Sequence, residues 1–137
     1  MTMQRLHLTL AASRAAIEAM LNQAMKEPNR PVAMAVVDEL GEVIMSARMD
    51  GTRPTPRLIA VKKAYTAARS GSDSGAFAER MKAQGRSPNE LDPGMVGVQG
   101  GIVVTKDGVI LGGIGVSGLA AAEDEALCRI GLAAMKL

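Results

Sequence analysis

Asp107–Glu125, DGVILGGIGVSGLAAAEDE, contains a turn, a glycine-rich strand, a second turn and the acidic start of a helix. Asp107-Gly108 supplies the positive φ angles of a two-residue hairpin, so Ile102–Thr105 and Val109–Val116 are expected to pair antiparallel. The strand period of two puts Ile110, Ile114 and Val116 on one face, with Gly112 between them. Gly113, Gly115 and Ser117 fall on the other. Glycine inside a strand costs about 0.5–1 kcal/mol relative to alanine. Glycines at 112, 113, 115 and 118 therefore imply that something approaches the backbone closely: a helix, a neighbouring subunit or a flat ligand.

Working outward, the chain reads as a second hairpin and a set of helices. Thr9 caps a helix expected to run to about Glu27, with Leu10, Ile17, Leu21 and Ala24 on its apolar face, and Pro28 and Pro31 stop it. Val32–Asp38 holds the continuous apolar run VAMAVV of a strand buried on both faces. After the turn at Glu39-Leu40-Gly41, with Asp38 as its capping acid, Glu42–Met49 returns as its partner.

Asp50–Pro56 (DGTRPTP) is a loop, and Thr55-Pro56 is a helix start with the hydroxyl capping. That helix runs to about Arg69, and a second spans about Ser74–Gln84. Arg86–Gly100 lacks periodicity apart from a possible short strand near Met95–Val98, and a loop of that length is more often functional than idle. The last helix covers about Ala120–Lys136, with Leu127, Ile130, Ala134 and Leu137 at helical spacing. The order α, β-hairpin, α-α, loop, β-hairpin, α argues for an antiparallel sheet covered by helices rather than a nucleotide-binding parallel sheet.

Composition narrows the function. With 137 residues, the chain (1–137) is one domain by size. It is 47% apolar yet 1% aromatic, with Tyr65 and Phe77 as the rings and ten methionines in their place, which makes a soft, adaptable core. The net charge of +2, the absence of a Lys/Arg run and the lack of stacking rings argue against a nucleic-acid partner. Cys128 is the single cysteine, which excludes an internal disulfide and a cysteine-based metal cluster. It is read as a packed thiol, and no metal site is expected. No apolar run reaches membrane-spanning length, so a soluble, cytoplasmic protein without a membrane partner is expected.

Five blocks of sequence occur together in order: LTL opening the first helix, AVVDELG with VIMSARMDG, IAVKKAYTAA, QGGIVVTKDGVILGGIGVSG, and EDEALCRIGLAAM. They resemble the GlcG/HbpS-like family, which includes the C-terminal domain of PduO-type proteins. The resemblance covers nearly the whole chain. It implies an α/β fold with a five-stranded antiparallel sheet flanked by helices, assembled as homodimers or higher homo-oligomers. It further implies a small-molecule ligand, with haem or a corrin among the known ones, or a place in a catabolic pathway. Haem or corrin binding often uses histidine, and the chain carries only His7, before the first helix cap, so the cofactor stays unknown and haem would lack an obvious histidine ligand.

Candidate site residues follow from both readings. Lys63 falls where the family's helix has a lysine before alanine, which implies an anion-binding or pocket-facing role, while Lys62 reads as solvated. Tyr65, two positions on, points to another helix face. Glu123, Asp124 and Glu125 complement the dipole of the last helix. Asp124 matches the family's acidic pair after GVSG, and if it faces the bare strand, desolvation would suit it to general acid or base work. Arg48 and Asp50 form either an ordinary ion pair or, with Arg53, a clamp for a carboxylate or haem propionate. Ser117 has no histidine partner for nucleophilic chemistry.

Two function classes follow. One is an oligomeric binding domain holding a planar or carboxylate-bearing molecule against Gly113, Gly115 and Ser117, with Arg48, Asp50, Arg53 and Lys63 around it. The other is a cofactor-independent lyase or isomerase of a small organic acid, with Asp124 or Glu123 moving a proton and Arg48 or Lys63 holding the carboxylate.

Overall fold

A computed structural model describes residues 6–137. Its elements are α1 (Leu10–Ala24), β1 (Ala33–Asp38), β2 (Val43–Arg48), α2 (Pro54–Ser70), α3 (Ser74–Ala83), α4 (Pro88–Leu91), β3 (Gly101–Lys106), β4 (Val109–Ser117) and α5 (Ala121–Met135). The sheet is antiparallel in the order β2-β1-β4-β3, so each hairpin pairs with itself and the two meet along β1 and β4. It has four strands rather than five: Met95–Val98 forms none, and Val96 N–H instead donates to Thr66 Oγ1 at 2.9 Å.

The two faces of the sheet pack by different means. On one, Met34, Val36, Val104, Ile114 and Val116 meet α1 and α5 through Ile17, Met20, Leu127 and Cys128 in a methionine-rich core. On the other, α2 lies across β4, β1 and β3, and both partners have small side chains there. A Cβ added at Gly115 would lie 2.1 Å from Ala60 O, and one at Gly113 would lie 2.4 Å from Ala64 O. The close approach implied by the glycines is therefore made by the chain's own helix. The Gly113–Gly115 surface is filled and offers no bare face to a ligand.

Most element ends lie where local chemistry puts them. Thr9 Oγ1 accepts from Ala12 N–H at 3.0 Å to cap α1, and Asp38 Oδ1 accepts from Leu40 and Glu42 N–H at the first hairpin turn. Asp107 (φ 52°) and Gly108 (φ 77°) make the second. Four details depart from expectation. Pro88–Leu91 closes into the short helix α4 inside the stretch read as having no periodicity, because one turn is too short to show a repeat. Leu10 is 64% exposed, and Ser13, Ala16, Ile17 and Met20 are the buried face of α1. α2 starts at Pro54 with Arg53 at the cap position and no side-chain cap, so Thr55 lies inside the first turn. A bulge between Val104 and Thr105 puts Leu111 into the α1/α5 core and turns Ile110, 38% exposed, towards Gly71 at the end of α2.

Candidate functional site

Three places gather the chemistry: a buried ion pair at the end of the sheet, a seam of two hollows beside the Asp50–Pro56 loop, and the Arg86–Gly100 loop. The ion pair comes from α2 and α5. Lys63 faces the sheet, where it donates from Nζ to Asp124 Oδ2 at 3.0 Å and to Val116 O at 2.9 Å. The two side chains are 3% and 2% exposed. Asp124 Oδ1 accepts from Leu119 N–H at 3.0 Å, across the start of its own helix. Burial pushes the Asp124 carboxyl up, while the Lys63 ammonium and the Leu119 N–H pull it back.

The surroundings of the pair are closed. Gly100 (φ 123°) lies beside it, and a Cβ there would come within 2.6 Å of Lys63 Nζ. Cys128 Sγ donates to Gly100 O at 3.2 Å, and desolvation pushes its thiol far up, as expected of a packed cysteine. At 3% and 2% exposure, neither side chain presents its charge to solvent. Sequence reasoning chose both residues, and the structure joins them to each other.

The seam forms where Pro28–Pro31 meets Met49–Arg53. Met49 N–H and Thr52 Oγ1 both donate to Val32 O. On one side lies a cleft of about 420 Å³ bordered by Asn29, Arg30, Gly51, Arg53, Pro56 and the Gly118–Ala120 turn. On the other lies a hollow of about 260 Å³ lined by Leu21, Met25, Pro28 and Met49, with Arg48 and Asp50 at its edge. Arg48 and Asp50 make no ion pair with each other, and no acceptor among the described residues lies on the Arg48 or Arg53 guanidinium. Ser117 is buried opposite Ala33 and lines neither hollow.

Glu123 sits between the seam and a further hollow, where Gln23 and Glu27 near the end of α1 face Leu127 and Ile130 of α5. Arg30 donates to both its oxygens, at 3.0 and 2.8 Å, and also to Glu27. The Arg30 guanidinium, aided by the Ala120 N–H, holds the Glu123 carboxyl below its ordinary value. Arg30 was not a candidate in the sequence because the partners of a loop arginine are set by tertiary approach.

The Arg86–Gly100 loop is tied down along its length. Tyr65 OH donates to Asp92 Oδ2 at 2.8 Å, Gly94 N–H donates to Asp92 Oδ1, and Arg69 lies over the Tyr65 ring. The ring is sandwiched between glycines: a Cβ at Gly41 or Gly94 would fall 2.4 or 2.8 Å from it. Ser74 Oγ donates to Val98 O and accepts from Gly101 N–H. Lys63 and Tyr65 serve different surfaces, as their spacing on the helix requires.

Comparison with known proteins agrees with this architecture. The family model described as haem degrading protein HbpS-like matches residues 8–133. Protein GlcG of Escherichia coli strain K12 is 34% identical over 110 residues, covering 80% of this chain and 81% of its own. A double mutant of Streptomyces reticuli HbpS superposes with a TM-score of 0.85 at 36% identity, over 96% of this chain and 89% of that one. A PduOC haem complex shares the fold with a TM-score of 0.83 at 23% identity, covering 94% of this chain and 95% of that one. No helix among the described residues is long and apolar enough to cross a membrane. By sequence along nearly its full length, and by the sheet and helices that length builds, the chain belongs to the HbpS-like family.

Proposed function

We propose that the protein is a small-molecule-binding module that takes a planar or carboxylate-bearing ligand in the cleft between the Gly51–Arg53 segment and the Gly118–Ala120 turn. The observation that carries this reading is Arg53: a guanidinium with no acceptor among the described residues, at the border of a cleft of about 420 Å³. A guanidinium in that state offers a carboxylate two parallel hydrogen bonds. Haem belongs among the candidates because the matching family model is described as haem degrading.

The cleft residues suit a propionate better than iron. No histidine, methionine, cysteine or tyrosine borders it, so no axial ligand comes from its walls. Arg53, with the neighbouring Arg30 already engaged by Glu27 and Glu123, would hold the carboxylate edge. The homo-oligomer is part of the same proposal, supported by β2, an edge strand that leaves Val43 exposed at its hairpin end, away from Arg48. The lyase or isomerase alternative draws no support from the geometry, because Asp124 is sealed against Lys63 and Glu123 is held by Arg30.

The test is a haem titration of the full chain, followed by the Soret band. Saturable binding that Arg53→Gln weakens by roughly tenfold is expected. A titration without saturation removes haem as the ligand, and equal binding by Arg53→Gln removes this cleft as the site.

A further inference from the structure

Nine arginines fall among the described residues, and five hold an acceptor or a ring. Arg14 pairs with Glu18, Arg30 with Glu27 and Glu123, Arg69 with Asp92, and Arg129 with Asp73, while Arg80 bonds Ser72 and lies over Phe77. Four guanidinium groups hold none: Arg48, Arg53, Arg57 and Arg86. Three of these come from the corner where β2 ends and α2 begins. Arg48 and Arg57 line one hollow of about 250 Å³ together with Ser46, Ala33 and Val61.

The fold explains why this hollow is open. Ser46 and Arg48, two apart on β2, share a face, and they stand opposite Ala35 and Ala33. Those alanines face α2, since Ala35 is also paired with Gly115, which lies against Ala60. α2 packs on β4, β1 and β3, so the edge strand continues the sheet beyond the helix as a shelf. Arg57, in the first turns of α2, borders this shelf from the helix side. Two cations lining one small hollow repel each other unless an anion lies between them. A surface ion pair would have been the ordinary remedy, and no carboxylate among the described residues supplies one.

We infer that the shelf formed by Ser46, Arg48 and Arg57 is a binding site for the carboxylate of a short organic acid, whose apolar portion rests on Ala33 and Val61. The two guanidinium groups supply paired N–H donors of the right fork geometry, and the Ser46 hydroxyl a further donor. The volume exceeds a bare carboxylate group, and the alanine and valine walls reward an alkyl tail. That favours an organic acid over inorganic phosphate. This site is separate from the Arg53 cleft and does not rest on that reading.

The experiment titrates the full chain with butyrate, acetate and inorganic phosphate at constant ionic strength, following the arginine Nε–H resonances by NMR and the heat by calorimetry. Butyrate should shift Arg48 and Arg57 saturably and bind more tightly than acetate or phosphate. Arg48→Gln and Arg57→Gln should each weaken it roughly tenfold, whereas Arg86→Gln, which removes an equally unpaired charge elsewhere, should leave it unchanged. Shifts without saturation overturn the site, as does equal loss in Arg86→Gln. Phosphate binding as tightly as butyrate overturns the organic-acid assignment. Haem at the cleft and butyrate at the shelf are read in separate titrations, so either can fail alone.

Discussion

Lys63 Nζ and Asp124 Oδ2, 3.0 Å apart and almost fully buried, tie α2 on one face of the sheet to α5 on the other, where β4 ends and β3 begins. Val116 O and Leu119 N–H add a further contact to each group, so the two charges leave water together, each held by the other and by the backbone. Removing one partner strands the other. Asp124→Asn or Lys63→Met should each cost about 3–5 kcal/mol, and Lys63→Met combined with Asp124→Leu should restore much of the loss. Urea denaturation of the two singles and the double checks this; additive losses in the double mutant would contradict the pairing.

Glycine substitutions should separate backbone contacts from side-chain contacts. Gly115→Ala drives a methyl into Ala60 O at 2.1 Å, and a helix backbone cannot yield locally. A loss of about 3 kcal/mol or more is expected, with α2 lifted from the sheet. Gly131→Ala in α5 meets the Met20 thioether at 2.8 Å instead, which can rotate away. The helical gain of roughly 1 kcal/mol over glycine offsets that adjustment, so a change within about 1 kcal/mol is expected. Denaturant midpoints of the two variants decide the ordering.

Tyr65 is the sole tyrosine and there is no tryptophan, so tyrosinate absorbance reports one group. Its hydrogen bond to Asp92, then burial, raises its pKa above the ordinary value near 10. A raised folded value favours the neutral phenol. Its contribution to stability is complete below about pH 10 and is lost as pH climbs through the folded value. Asp92→Ala should move tyrosinate formation back towards the ordinary range and loosen the Arg86–Gly100 loop; an unchanged titration would contradict the contact.

Asp92 itself works in the opposite direction. The Gly94 N–H, then the Tyr65 hydroxyl, hold its carboxyl below the ordinary value. Its contribution is therefore present above the ordinary aspartate range near pH 4 and is lost as pH falls through the lower folded value. Amide exchange at Gly94 should accelerate there before the sheet opens, and simultaneous loss of both would argue against a separately anchored loop.

Cys128 should be inert while the protein is folded. Its thiol is buried, donates to Gly100 O and is disfavoured as thiolate. Reaction with a thiol reagent should occur only as fast as unfolding exposes it, and rapid labelling without denaturant would contradict the packing.

Local chemistry determined much of this protein from the sequence alone. Thr9, Asp38 and Asp107-Gly108 act on their own neighbours, so those caps and turns were legible, as were both hairpins and the four longer helices, whereas the Thr55 cap and the four-residue α4 were not. The crowded glycines announced a close approach, and Lys63 and Asp124 stood out by their family positions. Tertiary structure decided what approached and what met. α2 rather than a ligand lies on Gly113 and Gly115, because alanines at its own contact positions admit it. Lys63 closes on Asp124, and Arg57 joins Arg48 beside the face of the edge strand that α2 does not reach. A bulge shifts Ile110 away from the face its parity assigns. These outcomes depend on groups distant in the chain competing for the same space, and periodicity along one segment contains no information about which competitor arrives.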